Sequence, residues 1–389
     1  MKKSLIALAA LAASGAAMAQ SSVTLYGVVD EAVSYLKGQT SFSGINSGAN
    51  MTSRFGIRGS EDLGGGLKAN FRLESGLNVD VGDGGSGYSG AAAGNGLAFK
   101  RNSTVGLSGG FGEVRLGREL TAAYNAVARY DLWGSVGYGQ SYLWVNGGGG
   151  VNDGAIPNGS APVTTNQRVG NAITYVTPNI AGFQASANYG FGEVTDNNSA
   201  GRYMGLGATY DNGPLSLGLG AERWNSTFGT VNGVPNQQLV AGGPTNTDNM
   251  TAWSLGGSFD FGVAKLLAAY RQTDTDNYQG SVNKNKFKGY MLGVSAPVGP
   301  GLVRAAYNRY QDKFAGAIDD KIDHFSLGYI YSLSKRTSLY GTYAYFKDKD
   351  HTRGAAGSPI VGIANLGNGV ALKNNGSEQG LQLGITHTF

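Results

Sequence analysis

The sequence predicts an all-β protein, a transmembrane antiparallel β-barrel of sixteen strands. Three observations carry this expectation. The chain ends on Leu381-Gln382-Leu383-Gly384-Ile385-Thr386-His387-Thr388-Phe389, which alternates apolar and polar residues and stops on an aromatic, the pattern of a strand with lipid on one face and water on the other. About sixteen alternating runs recur, and the connectors between them are short and long in turn. An export signal opens the chain, and no later run of about 18 apolar residues offers a membrane-spanning helix.

Met1-Lys2-Lys3 is a basic n-region, Ser4 to Ala13 an apolar stretch too short to cross a bilayer, and Ala17-Met18-Ala19 an A-x-A cleavage site. The expected organisation is a cleaved signal peptide over 1–19 and a single barrel domain over 20–389. Composition agrees. The 65 glycines carry no collagen period and lie between alternating segments, and zero cysteines exclude a disulfide scaffold and thiol chemistry. A net charge of +4, about +2 once Lys2 and Lys3 are removed, is dispersed singly along the strands and excludes a nucleic-acid surface.

The first strand runs over 22–36 around Val23, Leu25 and Val29; the second, 52–61, sets Phe55 and Ile57 on one face; the third, 67–79, aligns Leu67, Phe71, Leu73 and Leu77. Strands at 99–108 and 112–119 meet at the tight turn Gly109-Gly110-Phe111-Gly112. Beyond a long connector come 168–177 and 182–192, then 202–212 and 215–225 around Asp211-Asn212-Gly213-Pro214. The runs 249–260, 263–274, 284–297 and 301–313 follow, the last two joined by Pro297-Val298-Gly299-Pro300-Gly301. Strands at 322–333 and 337–349, joined by Ser332-Leu333-Ser334-Lys335-Arg336, and at 378–389 complete the set. The long connectors lie near 37–51, 80–98, 120–167, 226–248 and 350–377. Short turns on one side and long loops on the other are the bacterial barrel arrangement, and an even strand count leaves both termini in the periplasm. A soluble sandwich, propeller or solenoid also alternates, but connector length, glycine within strands and tyrosine-rich strand ends favour the barrel, and no fixed 20–50 residue repeat is present.

Parity assigns faces. With Phe55, Ile57, Phe71 and Leu73 outward, Arg54, Arg58, Asn70, Arg72 and Glu74 point into the lumen. With Val114, Leu116, Ile173 and Tyr175 outward, Glu113, Arg115 and Arg168 point in as well. A charge on the lipid face near the midplane costs about 2 to 4 kcal/mol, so the inward assignment is preferred. The lumen is therefore polar and arginine-rich. The connector from Leu120 to Gln167, opening on Thr121-Ala122-Ala123-Tyr124 and reaching Asp131-Leu132-Trp133, is long enough and apolar enough to have its own structure and a role.

These residues resemble the general porins of β-proteobacteria. The resemblance rests on Ser53 to Glu74 (SRFGIRGSEDLGGGLKANFRLE), Ser22 to Gly27 (SVTLYG), Phe111 to Arg118 (FGEVRLGR), Tyr130-Asp131-Leu132, Tyr210 to Leu215 (YDNGPL), Leu333 to Thr337 (LSKRT) and the terminal Phe389, and it covers essentially the whole mature chain. It implies a homotrimer of sixteen-stranded barrels, each narrowed by a third external loop folded into the lumen. It implies a constriction built from Arg54, Arg101 and Arg168 with Glu74 on the wall and Glu119 and Asp131 as loop carboxylates, seconded by Arg58, Arg72, Lys100 and Arg115. Parity supports Arg54, Glu74 and Arg168. It disagrees for Arg101, because Val105 and Leu107 face lipid and even stepping puts Arg101 beside them; either a bulge precedes that strand or Lys100 takes the role. The third loop lacks the strongly acidic motif of cation-preferring porins, which favours anions.

The expected activity is passive outer-membrane diffusion of ions and small hydrophilic solutes through a charged constriction, with no cofactor and no bond made or broken. Expected partners are outer-membrane lipids and lipopolysaccharide, small anions and hydrophilic solutes, and the assembly machinery that reads Phe389. A barrel enzyme needs a nucleophile, base and orienting group together, and the three imidazoles, His324, His351 and His387, are scattered, with His387 beside lipid near the rim. A substrate-specific sugar or small-molecule channel is the alternative, for which Trp133, Tyr142 and Trp144 would be the stacking residues. Asp274-Thr275-Asp276-Asn277 opens like a calcium loop, but Gln279 stands where glycine is required.

Overall fold

The computed structural model describes residues 22–84, 97–144, 167–193, 198–199, 201–231, 234–238, 247–275, 285–314, 318–349 and 376–389. The signal peptide expected over 1–19, His351, most of the connectors at 80–98 and 350–377, and residues 232–233 and 239–246 of the connector at 226–248 lie outside them.

The strands are β1 (Ser22–Lys37), β2 (Ser41–Ser47), β3 (Arg54–Gly64), β4 (Leu67–Gly76), β5 (Asn102–Gly109), β6 (Gly112–Leu120), β7 (Arg168–Val176), β8 (Phe183–Gly190) and β9 (Tyr203–Asn212). They continue as β10 (Leu215–Val231), β11 (Val234–Gln238), β12 (Thr247–Asp260), β13 (Lys265–Thr275), β14 (Asn285–Val298), β15 (Gly301–Phe314), β16 (Ile318–Ser332), β17 (Thr337–Asp348) and β18 (Ser377–Thr388). Between β6 and β7 stand a short helix, α1 (Ala122–Val127), and a 3-10 turn over Ala128–Tyr130.

Eighteen strands make sixteen staves. β2 and β3 pair with successive halves of β1, Lys37↔Ser41 to Glu31↔Ser47 and then Val28↔Arg54 to Ser22↔Ser60, so they are one stave broken at residues 48–53. β11 pairs only with the far end of β10, extending that hairpin beyond the wall. Every stave is antiparallel to its neighbours, and β1 closes on β18 from Val28↔Thr388 to Lys37↔Gln379. Closure leaves no unpaired edge, the condition for a sheet in lipid. The connector read at 37–51 thus contains a strand; in Ser-Phe-Ser-Gly-Ile-Asn-Ser only Phe42 and Ile45 are large enough to mark the alternation, and they fall on opposite faces.

The faces follow parity. Val105, Leu107, Leu116, Ile173 and Leu383 are exposed on the outside, whereas Thr104, Ala172, Thr342, Ala344 and Gln382 are buried on the inside. Phe389 donates its N–H to the Gly27 carbonyl and accepts from the Gly27 N–H, both at 3.1 Å, and its ring lies over that glycine. A Cβ there would stand 2.2 Å from the ring, so the closing aromatic requires glycine opposite it.

The segment after β6 lies against this inner face. Thr121 caps α1 by accepting from the Tyr124 N–H at 3.3 Å. Ala126 then packs so closely on β10 that a Cβ at Gly218 would meet its carbonyl oxygen at 2.2 Å. Further along, Trp133 Nε1 donates to Thr342 Oγ1 (3.1 Å), the Tyr138 N–H to Gln382 Oε1 (2.8 Å) and the Tyr142 N–H to the Tyr310 hydroxyl (3.0 Å). Arg304 donates to the Leu132 carbonyl (2.8 Å) and lies over the Trp133 ring at 4.4 Å. Trp133, Leu143 and Val127 join Leu36, Met291, Ile322 and Phe346 in a single buried cluster.

Candidate pore constriction

Four staves, the one comprising β2 and β3 and then β4, β5 and β7, bring the expected arginines together. Arg54 opens β3 and Arg168 opens β7, each at the point where the ladder begins. Arg101 immediately precedes β5. Its N–H bonds to the Glu74 carbonyl at 3.1 Å although Asn102 is the residue opposite Glu74 in the ladder, so two residues face one and the parity that governs Val105 and Leu107 does not extend to Arg101. Of the two alternatives for this position, the irregularity before the strand is the one observed. Lys100 offers its carbonyl to Arg118 Nε at 2.6 Å.

Glu74, buried on the wall, organises the guanidinium groups. Its carboxylate accepts from Arg101 Nε (2.7 Å), Arg72 Nη2 (2.6 Å) and the Tyr26 hydroxyl (2.9 Å). Arg72 Nε also reaches the Tyr26 hydroxyl at 2.9 Å, and the Arg58 and Arg72 guanidiniums lie 5.4 and 5.6 Å from the Tyr26 ring centre. Arg168 Nε donates to the Arg101 carbonyl at 2.9 Å, and among the described residues no acceptor meets the Arg54 guanidinium.

Two cavities lie along this wall. One, of about 460 Å³, is lined by Arg54, Arg101 and Arg168 together with Tyr124, Ser135 and Gln140 of the inner segment; Asp80 is its one lining carboxylate among the described residues. The other, of about 380 Å³, is lined by Arg58, Arg72 and Arg115 with Glu113 and Glu119. Leu120 borders both, so they occupy opposite sides of the point where the chain leaves β6. The first has three cations against one anion, the second three against two.

The two expected loop carboxylates do not face the arginine trio. Glu119 is the penultimate residue of β6 and accepts from Arg115 Nη2 (2.8 Å), which also reaches Glu113 through Nη1 (2.7 Å). Asp131 turns into its own loop, where Oδ1 accepts from the Trp133 N–H (2.9 Å) and Oδ2 from the N–H groups of Ser135 (3.1 Å) and Ser141 (2.9 Å). Burial pushes its carboxyl up to about 6, against the opposing pull of those donors and of Arg304.

Several participants were not singled out in the sequence. Tyr26 could have been, since Val23 and Leu25 face outward and Tyr26 must then face in. Arg304 and Arg271 sit on the inner face by the same parity. Arg271 Nη2 pairs with Glu222 Oε1 at 2.5 Å, both buried, under the Trp144 ring at 3.9 Å. Trp133, Tyr142 and Trp144, the residues expected to stack on a sugar, are 1, 4 and 2% exposed and spend their faces on the wall.

A sixteen-stranded antiparallel barrel with an inner segment braced against its wall and charged cavities along it is the architecture of an outer-membrane diffusion channel. Residues 5–351 match the family model described as Gram-negative porin. Outer membrane porin protein 32 of Delftia acidovorans is 43% identical over 100% of both chains, and an outer membrane porin protein of Bordetella pertussis is 33% identical over 90% of this chain and 95% of that one. Among solved structures, the anion-selective porin from Comamonas acidovorans superposes with a TM-score of 0.75 at 37% identity, covering 95% of this chain and all of the other. The chain belongs to the Gram-negative porin family. It is a general diffusion porin of the bacterial outer membrane, a passive channel and not an enzyme.

Proposed function

We propose that this porin prefers anions and that Arg54, Arg101 and Arg168, with Glu74 behind them, form its selective constriction against the segment from Thr121 to Trp144. The observation that carries this reading is the cavity with three arginines and one lining carboxylate. A guanidinium about 8 Å from a permeating monovalent ion contributes roughly 2 kcal/mol at an effective dielectric constant of about 20, favourable for anions and unfavourable for cations. Glu74 offsets part of that field through Arg101 and Arg72, which keeps residence short enough for flux. The fixed inner segment sets the size limit. Arg58, Arg72 and Arg115 line the second cavity, where Glu113 and Glu119 weaken the sign preference. The Comamonas acidovorans porin, 37% identical, is anion-selective, which supports the same sign here. The reading extends to a homotrimer in contact with outer-membrane lipids and lipopolysaccharide and assembled through recognition of Phe389. The reversal potential of the purified protein in a planar bilayer under a potassium chloride gradient tests the sign directly: a value on the chloride side supports the proposal, and one on the potassium side overturns it.

A further inference from the structure

Residues 48–53, where the stave of β2 and β3 is interrupted, lie opposite Asp30 of β1. Ladder pairing stops at Glu31↔Ser47 and resumes at Val28↔Arg54, so the Asp30 backbone has no strand partner on that side. The interruption supplies substitutes: the Gly48 N–H donates to the Asp30 carbonyl at 2.8 Å, and Ser53 Oγ accepts from the Asp30 N–H at 3.0 Å. The Asp30 side chain points inward and is fully buried. Its Oδ1 accepts from the Asn50 N–H (3.0 Å) and the Tyr340 hydroxyl (2.9 Å), and its Oδ2 accepts from the Thr386 hydroxyl.

Thr386 stands directly across the closing seam from Asp30. From it a chain of hydrogen bonds leads along the inner wall: Asn50 Nδ2 donates to Thr386 Oγ1 (3.1 Å), Arg304 Nη2 to Asn50 Oδ1 (2.7 Å), and Arg304 Nη1 to the Leu132 carbonyl (2.8 Å). The two ends set its sense, because a carboxylate only accepts and a guanidinium only donates. Thr386 must therefore donate to Asp30 and accept from Asn50, and the Asn50 amide must turn its oxygen to Arg304. Asp30, Thr386, Asn50 and Arg304 are each 8% exposed or less, so a reversed link leaves a buried group unpaired at the cost of its desolvation. The inner segment also rests on the interruption itself: Gly137 has φ +67°, and a Cβ there would stand 2.0 Å from the Ala49 carbonyl oxygen. We propose that Asp30 is a positioning residue for the constriction, acting through Thr386, Asn50 and Arg304 to hold the inner segment at Leu132 while the interruption seats it at Gly137. The interruption is what lets Asn50 reach both the seam and Arg304. This rests on the reading of the chain as a porin narrowed by that segment.

Asp30→Asn keeps the shape and reverses the sense. Its Oδ1 still serves the Asn50 N–H and Tyr340, so its Nδ2 takes the place of Oδ2; Thr386 then accepts from it and donates to Asn50, whose turned amide points Nδ2 at Arg304. Thr386→Val is isosteric and cuts the chain, leaving Asp30 the Asn50 N–H and the Tyr340 hydroxyl. The test is single-channel recording in planar bilayers of barrels shown to be folded by heat-modifiable gel mobility. Both variants are expected to spend about tenfold more time away from the main conductance level than the wild type, the population change that losing one hydrogen bond to a charged group produces. Tyr340→Phe also removes a donor from Asp30 but lies off the chain, and Thr386→Ser keeps the hydroxyl; both are expected to stay within about twofold of the wild type. A carboxylate that only stabilises the wall predicts the same disturbance from Y340F as from T386V. Traces of D30N or T386V as steady as the wild type, or of Y340F as disturbed as T386V, overturn the proposal; if D30N does not fold, T386V beside Y340F and T386S decides it. With a conducting wild type those outcomes refute the role of Asp30 and leave the porin reading intact, whereas a wild type that does not conduct overturns both.

Discussion

Replacing Trp133 with alanine tests whether the segment after β6 narrows the current path. The indole is 1% exposed, donates to Thr342 Oγ1 at 3.1 Å and supports the Arg304 guanidinium at 4.4 Å. Truncating a buried tryptophan costs about 3 to 5 kcal/mol, and here the loss includes a hydrogen bond of about 1 kcal/mol and a cation–π contact of similar size. The barrel wall does not depend on that ring, because its ladder closes from β1 to β18 without it. The cost therefore falls on the docked state of the segment, which keeps the Tyr138 and Tyr142 anchors but loses the central one. Single-channel recording is expected to show a higher unit conductance or rapid flicker between two levels. Thr342→Val, which removes only the acceptor, is expected to shift the same traces far less. A W133A barrel that folds, by heat-modifiable gel mobility, and conducts at the wild-type level with wild-type noise refutes the claim that this segment limits flow.

Three further outcomes are expected. Glu74→Gln removes the partner of buried Arg101 and of Arg72, so the ratio of chloride to potassium permeability rises while the unfolding temperature falls, an uncompensated buried cation costing on the order of 3 kcal/mol. Asp131 has its carboxyl at about 6, above its ordinary 3.8, so the folded chain holds the extra proton: its contribution to stability is greatest below about 4 and is lost as pH rises through about 6. Anion preference is correspondingly expected to strengthen as pH falls through about 6, and reversal potentials of Asp131→Asn should lack that step. Gly27→Ala drives a methyl into the Phe389 ring, and the yield of heat-modifiable, folded barrel should drop sharply in refolding trials.

The barrel was legible because each stave alternates under one local rule, and ladder pairing keeps that rule in phase from Ser22 to Phe389. The same rule placed Arg54, Glu74 and Arg168. It failed at Arg101 because β5 begins one residue later and two residues share Glu74, an irregularity invisible in the order of side chains. On β13 and β15 parity alone points Arg271 and Arg304 inward, where both are buried. The inner segment was not legible in detail. Trp133, Tyr138 and Tyr142 find partners 209, 244 and 168 residues away, on staves whose proximity exists only once the barrel has closed. Asp131 illustrates the result: its residue type fits a pore-facing carboxylate, and its geometry makes it the brace of its own loop.

The most direct measurement is the reversal potential in a salt gradient of the wild type beside an Arg54→Ala, Arg101→Ala, Arg168→Ala triple variant. Anion preference in the wild type and its loss in the variant, with the barrel folded and conducting, is the predicted result. An unchanged reversal potential in the variant contradicts the assignment of selectivity to these three arginines.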